Sequence, residues 1–137
     1  MSEQAVAQRP PRGVGKQLEL PALAETLAAL RSAGKKIAHC HGVFDLLHIG
    51  HIRHLEQAKK LGDALAVTVT PDRFVNKGPH RPVFSEQLRV EALAALDCVD
   101  YVAVNRWPTA VEAILLLKPD CYVNGPDYQD ARKDLTG

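Results

Sequence analysis

Five of the six histidines lie between residues 39 and 54, at His39, His41, His48, His51 and His54. Within that stretch His48 and His51 flank Ile49 and Gly50, where a short β-type run gives way to a helical pattern. A helix N-terminus presents unpaired N–H groups and a partial positive charge, which suits phosphate. Two imidazoles three residues apart at that end can both donate hydrogen bonds to one phosphate, in either the cationic or the neutral form. Gly50 lets the backbone approach a ligand with no side chain in the way. His39 and His41 alternate along a strand and share one side of it, which reads as packing or as the wall of a site. His54, one turn beyond His51, reads as a supporting or surface position. His-x-His and His-x-x-His are also metal-ligand spacings, so a zinc site is a rival reading. Structural zinc more often recruits Cys or carboxylates, which weighs against it.

These residues need a frame. Residues 1–17 carry Gln, Pro, Gly and basic residues without periodicity and read as a tail or linker, with one domain over 18–137. Leu23, Leu27 and Leu30 recur at helical spacing, with Pro21 suited to the first turn and Gly34 to the end. Ile37–His41 reads as a strand. Ile52, Leu55, Ala58 and Leu61 fall on one face of the next helix, which Gly62 closes. Residues 64–70 form a β-branched strand and 71–84 a Pro-rich loop. Ser85 caps a helix with Leu88, Ala92 and Leu96 inward. Residues 99–105 are a third strand, Thr109 and Glu112 a capping box, and 121–124 a fourth strand before a terminal loop. Strands alternate with helices, so the fold class is α/β: a doubly wound parallel sheet of about four strands. Ligands of such sheets bind beyond the carboxyl ends of the strands, here 42–51, 70–84, 105–109 and 124–128.

Several classes are disfavoured. No G-x-G-x-x-G follows the first strand, no G-x-x-x-x-G-K-[ST] occurs, and there is no G-x-S-x-G; a dinucleotide oxidoreductase, a P-loop hydrolase and a nucleophile elbow are set aside. Seventeen Lys and Arg balance sixteen Asp and Glu, a net charge of +1, so no polyanion or membrane surface is advertised. Aromatics at 5% leave little for stacking single-stranded nucleic acid. No apolar stretch approaches the ~20 residues of a spanning helix. The separated cysteines Cys40, Cys98 and Cys121 read as buried thiols in a reducing, cytoplasmic compartment.

The His48-Ile-Gly50-His51 run resembles the His-x-Gly-His signature of the nucleotidyltransferase superfamily, in its cytidylyltransferase-like branch. The likeness extends through Gly42, Phe44 and Asp45, then Ala58, Leu61, Gly62 and Asp63, then Asp72, Lys77, Arg81, Pro82, Arg89, Val99, Asp100, Gly125, Asp127 and Tyr128. It spans about residues 35–128 and is strongest to the adenylyltransferase domain of ADP-heptose synthase, with glycerol-3-phosphate cytidylyltransferase nearby. The resemblance implies a Rossmann-like fold of the HUP type, here expected to lack the last strand and a helix opened by a Ser-Thr-Thr-type segment. It implies transfer of AMP or CMP from ATP or CTP to a sugar or polyol phosphate, with Mg²⁺ and release of pyrophosphate. His48, His51 and Lys77 take the catalytic roles. Gly42, Val43, Phe44, Asp45, Gly50, Gly125 and Asp127 take the nucleotide and its phosphates. Asp72, Arg89 and Trp107 take the acceptor. A homodimer and a fused or partner sugar kinase are also implied. Other readings of the residues stay open: Lys77 and Arg81 as a solvated loop, Arg89 as a surface residue, Phe44 as a core wedge, and Trp107 as a cap on the core. A nucleotide-binding module without turnover is the alternative function.

Overall fold

The structure, a computed structural model, describes residues 15–75, 82–124 and 127–129. The elements are α1 (Leu20–Ser32), β1 (Ile37–Gly42), α2 (Ile49–Lys59), β2 (Ala64–Val69), a 3-10 turn (Asp72–Phe74), α3 (Glu86–Ala94), β3 (Tyr101–Val104), α4 (Val111–Leu117), β4 (Cys121–Asn124) and β5 (Asp127–Gln129). The sheet order is β3-β2-β1-β4-β5. The first four strands are parallel, as the alternation predicts. Residues 127–129 correct the expected terminal loop: they pair antiparallel with β4, Asn124 opposite Asp127. Only Gly125 and Pro126 separate the two strands, and a parallel crossover needs a dozen or more residues.

Two apolar layers sandwich the sheet. Leu55 and Ala58 of α2 and Val90, Leu93 and Ala94 of α3 pack with Ala38, Cys40, Leu65, Val67 and Val69 on one face. Leu20, Leu23 and Leu27 of α1 and Leu117 of α4 pack with Ile37, Ala64, Ala66 and Ala103 on the other. The inward face of α3 is one residue away from the expected one. Leu88 is half exposed, whereas Arg89, Val90, Leu93 and Ala94 are buried. The cause is Arg89, whose guanidinium is drawn inward by carbonyls described below. The Thr109–Glu112 capping box does not form. Ala110 stands at the N-cap of α4, and the Thr109 carbonyl is held by Asn105 Nδ2 at 2.8 Å. Lys16 and Gln17, assigned to the tail from sequence, lie along the edge of β3: Val102 N–H donates to Lys16 O at 2.8 Å. They thereby cover an open edge of the sheet.

The amino ends of the strands are fastened by aspartates. Asp63 accepts Lys36 N–H at 2.7 Å, Asp120 accepts Ile37 N–H at 2.7 Å, and Asp100 accepts Leu65 N–H at 2.8 Å. Gly62 lets that corner close, since a Cβ there would stand 2.9 Å from Ala38 N. The Leu61-Gly62-Asp63 and Val99-Asp100 runs therefore build the frame, and the opposite, carboxyl edge is left for the site. Among the described residues no helix is long and apolar enough to cross a membrane.

Candidate active site

The strand order reverses at β1, with β2 on one side and β4 on the other, and such a switch point opens a crevice at the carboxyl edge. The β1–α2 loop lies there. His48 is the N-cap of α2, in extended conformation, and its Nδ1 accepts Gly50 N–H at 3.0 Å. His51 Nδ1 in turn accepts His48 N–H at 3.2 Å. The pair forms a reciprocal capping box, with imidazoles in the places usually held by Ser or Thr and Glu or Gln. An Nδ1 that accepts an N–H carries no proton of its own, so each neutral ring bears its hydrogen on Nε2. The two ring centroids are 4.1 Å apart. Two Nε2–H donors thus sit side by side at the positive end of an 11-residue helix.

Gly50 has a role beyond ligand approach. A Cβ at this position would lie 2.7 Å from His48 Cε1 and 3.0 Å from its Nδ1, so the missing side chain is the space the His48 ring occupies. Phe44 buttresses the other ring edge-on, with centroids 5.8 Å apart. Its φ of 52° is a left-handed conformation that costs a non-glycine residue about 1–2 kcal/mol. Gly42 accommodates the same ring; a Cβ there would stand 2.9 Å from Phe44 Cε2.

The remaining predicted residues divide. Asp45 is buried, and its two oxygens accept Val83 N–H at 2.7 Å and Phe84 N–H at 2.8 Å. It ties the histidine loop to the start of α3. Arg89 is not the surface residue that one reading allowed, nor does it lie open to an acceptor. It is 1% exposed and donates to Phe84 O at 3.1 Å, Val43 O at 2.9 Å, Thr70 O at 2.7 Å and Asp72 Oδ1 at 2.6 Å. One guanidinium thus joins the ends of β1 and β2 to α3, with Val43 and Asp72 among its partners. Trp107 packs against the α1–α4 core layer. Lys77, Arg81, Gly125 and the side chain of Asp127 lie outside the described residues.

His39 and His41 line the opposite sheet face and share one partner. Thr68 Oγ1 stands 2.8 Å from His39 Nε2 and 2.8 Å from His41 Nδ1. Burial lowers His39 to a pKa of about 3, with the neighbouring His41 adding to the effect, and burial lowers His41 to about 4. Both are neutral at physiological pH. Burial raises the Cys40 thiol to about 12, so it is inert. Thr68, Thr70 and Asn105 were not singled out from sequence; Thr68 and Thr70 share the alternation of His39 and His41, the signal that could have found them. Among the described residues no three His, Cys, Asp or Glu side chains form a metal-holding group.

Comparison with known proteins agrees with this geometry. Residues 39–136 match the family model described as cytidylyltransferase-like. The "Bifunctional protein HldE" of Syntrophotalea carbinolica is 44% identical over 108 residues, covering 77% of this chain and 22% of that protein. The protein of the same name from Campylobacter jejuni subsp. doylei is 46% identical over 108 residues, covering 77% and 23%. The chain thus spans less than a quarter of the length of these curated relatives. Among solved structures, the lipopolysaccharide core biosynthesis protein from Thermoplasma volcanium is similar with a TM-score of 0.60 and 34% identity, covering 65% of this chain and 73% of that one.

Proposed function

The chain belongs to the cytidylyltransferase-like family, and from that premise we propose that it transfers a nucleoside monophosphate from ATP or CTP to a sugar or polyol phosphate, releasing pyrophosphate. The observation that carries this reading is the capped pair His48–His51, two Nε2–H donors at a helix N-terminus on the switch point of the sheet. An oxygen of the acceptor phosphate attacks the α-phosphorus in line. The new P–O bond forms as the bond from the α-phosphorus to the bridging oxygen breaks, and pyrophosphate carries away the electron pair. No protein nucleophile is required. Catalysis is positioning and stabilisation of charge on the phosphate oxygens, where one preorganised donor is worth about 10²–10³ in rate.

His48 and His51 donate to those oxygens, and the α2 terminus adds its partial positive charge. Lys77 neutralises the triphosphate or the attacking phosphate. Gly42, Val43, Phe44 and Gly50 shape the loop around the nucleotide, and Gly125 and Asp127, which follow β4 in the sequence, are proposed to contact it as well. Asp45, Asp72 and Arg89 hold that loop in place, and Trp107 borders the acceptor side. Asp45 is engaged by two backbone N–H groups and Asp72 Oδ1 by Arg89, which leaves these two carboxylates occupied with holding the loop. Mg²⁺ is proposed to accompany the nucleotide, where it would neutralise charge on the phosphates. The Thermoplasma volcanium relative, a lipopolysaccharide core biosynthesis protein, supports a sugar phosphate as acceptor. The bifunctional relatives support a second activity, proposed to be a sugar kinase, and the enzyme is proposed to be a cytoplasmic homodimer.

The test is pyrophosphate release by the full-length protein, with ATP and CTP each paired with glycerol 3-phosphate, ribitol 5-phosphate and mannose 1-phosphate. Release that depends on both substrates, and falls at least 100-fold in a folded His51→Ala variant, is expected. Nucleotide binding without release for any pair would refute the reading in favour of a binding module.

A further inference from the structure

The carboxyl edge of the sheet carries a second polar group, on the face opposite α2. His39 is fully buried, and its Nδ1 has no hydrogen-bond partner among the described residues. An unpaired buried N–H is rarer than an unpaired acceptor, so the His39 proton sits on Nε2 and donates to Thr68 Oγ1. The Thr68 hydroxyl then spends its single proton on His41 Nδ1. His41 is thereby fixed with its hydrogen on Nε2. That nitrogen makes a long 3.4 Å hydrogen bond to Thr70 Oγ1, weaker than the 2.8 Å bonds before it and open to replacement by a shorter one. Every bond in the row runs the same way, from the buried middle of β1 to its open end.

Two further groups lie beside it. Thr70 follows β2, and Asn105 continues the β3 ladder, its N–H donating to Val69 O at 2.8 Å. Asn105 Nδ2 is engaged by Trp107 O and Thr109 O, while Oδ1 is buried without a partner among the described residues. A donor, a hydroxyl and an acceptor therefore stand across the ends of three adjacent strands. Resting on the nucleotidyl-transfer reading, we propose that His41, Thr70 and Asn105 recognise hydroxyl groups of the acceptor, with His41 Nε2–H as the specificity-determining donor. Hydroxyls both donate and accept, which is what this mixed row matches. Burial keeps His41 neutral, with a pKa of about 4, so it offers a single uncharged N–H donor, which suits a hydroxyl.

The experiment compares the full-length protein with its His41→Leu and His41→Asn variants. Acceptors are mannose 1-phosphate with its monodeoxy analogues, and glycerol 3-phosphate with propane-1,3-diol phosphate. We expect His41→Leu to lower acceptor kcat/KM at least 10-fold while nucleotide KM stays within twofold. Its discrimination against at least one deoxy analogue collapses toward 1, because a site that hydrogen-bonds a hydroxyl rejects the analogue lacking it. His41→Asn, which keeps an acceptor for Thr68 and an N–H for the ligand, restores part of that discrimination. If His41→Leu fails to fold, His41→Phe takes its place with the same readouts. Unchanged deoxy discrimination in a folded variant would overturn the inference while leaving nucleotidyl transfer standing. Equal damage to nucleotide and acceptor KM, unrelieved in His41→Asn, would overturn it in favour of a structural role. No turnover by the unaltered protein with any pair would overturn the function and this inference together.

Discussion

A single methyl group at Gly50 should disable the site without unfolding the protein. The Cβ of a Gly50→Ala variant would stand 2.7 Å from His48 Cε1 and 3.0 Å from Nδ1. Carbon atoms settle at about 3.5–4.0 Å, so the imidazole must retreat by about 1 Å. The His48 ring can turn away, since it ends in a side chain rather than in backbone, but it then loses the 3.0 Å bond from Gly50 N–H. Loss of that cap costs about 1 kcal/mol. Alanine in place of glycine within a helix regains about 0.5–1 kcal/mol. Stability therefore barely moves. A displacement of about 1 Å in a catalytic donor costs on the order of 100-fold in rate, or about 3 kcal/mol in the barrier. The assay is kcat for pyrophosphate release beside a thermal melt, carried through a double-mutant cycle with His48→Ala. Because both changes act through one ring, Gly50→Ala should add almost nothing in the His48→Ala background. Full turnover by Gly50→Ala, or fully additive losses in the cycle, would refute this account of the loop.

Three other outcomes follow from the same geometry. His39 and His41 are held neutral in the fold, at about 3 and about 4 against an ordinary 6.5, so the unfolded chain binds more protons as pH falls below 6.5. Stability is complete above that pH and drains away toward pH 4; two such imidazoles cost about 4 kcal/mol between pH 7 and pH 5, a drop of roughly 10–15 °C in Tm, and a flat Tm over that range would contradict their buried neutrality. Arg89→Met leaves the Val43 and Thr70 carbonyls without their donor and should cost about 3–5 kcal/mol by denaturant melt; a residue that only touched substrate would leave the midpoint in place. Asp45→Asn turns one of two acceptors into a donor facing the Val83 or Phe84 N–H, and should cost about 1–3 kcal/mol, with faster amide exchange at both residues as the check.

The order of elements was legible because each carries its own period or punctuation. Leu23 and Leu27 mark a helix by spacing, Gly34 ends it with a φ of 85°, and the β-branched 64–69 run can only be a buried strand. The histidine loop was legible because its residue types sit at a helix start, where local rules apply. What local rules could not reach were choices made by distant partners. The inward turn of Arg89 depends on carbonyls 46 and 19 residues away. The failure of the Thr109 cap depends on Asn105 taking its carbonyl. Pairing of 127–129 with β4 depends on an edge that exists only once the sheet is assembled. The tautomers of His48 and His51 were open from sequence, because only the backbone N–H groups they accept decide where the proton sits.

The measurement that bears most directly on nucleotidyl transfer follows the α-phosphate itself. Full-length protein is incubated with ATP or CTP labelled at the α-phosphorus, with and without the phosphorylated acceptor. Label is expected to move into the acceptor as a nucleoside joined to it through a diphosphate, with unlabelled pyrophosphate appearing in equal amount and both vanishing in His48→Ala and His51→Ala proteins that still fold. Label released as free nucleoside monophosphate whether or not acceptor is present, or transfer undiminished in the two variants, would contradict it.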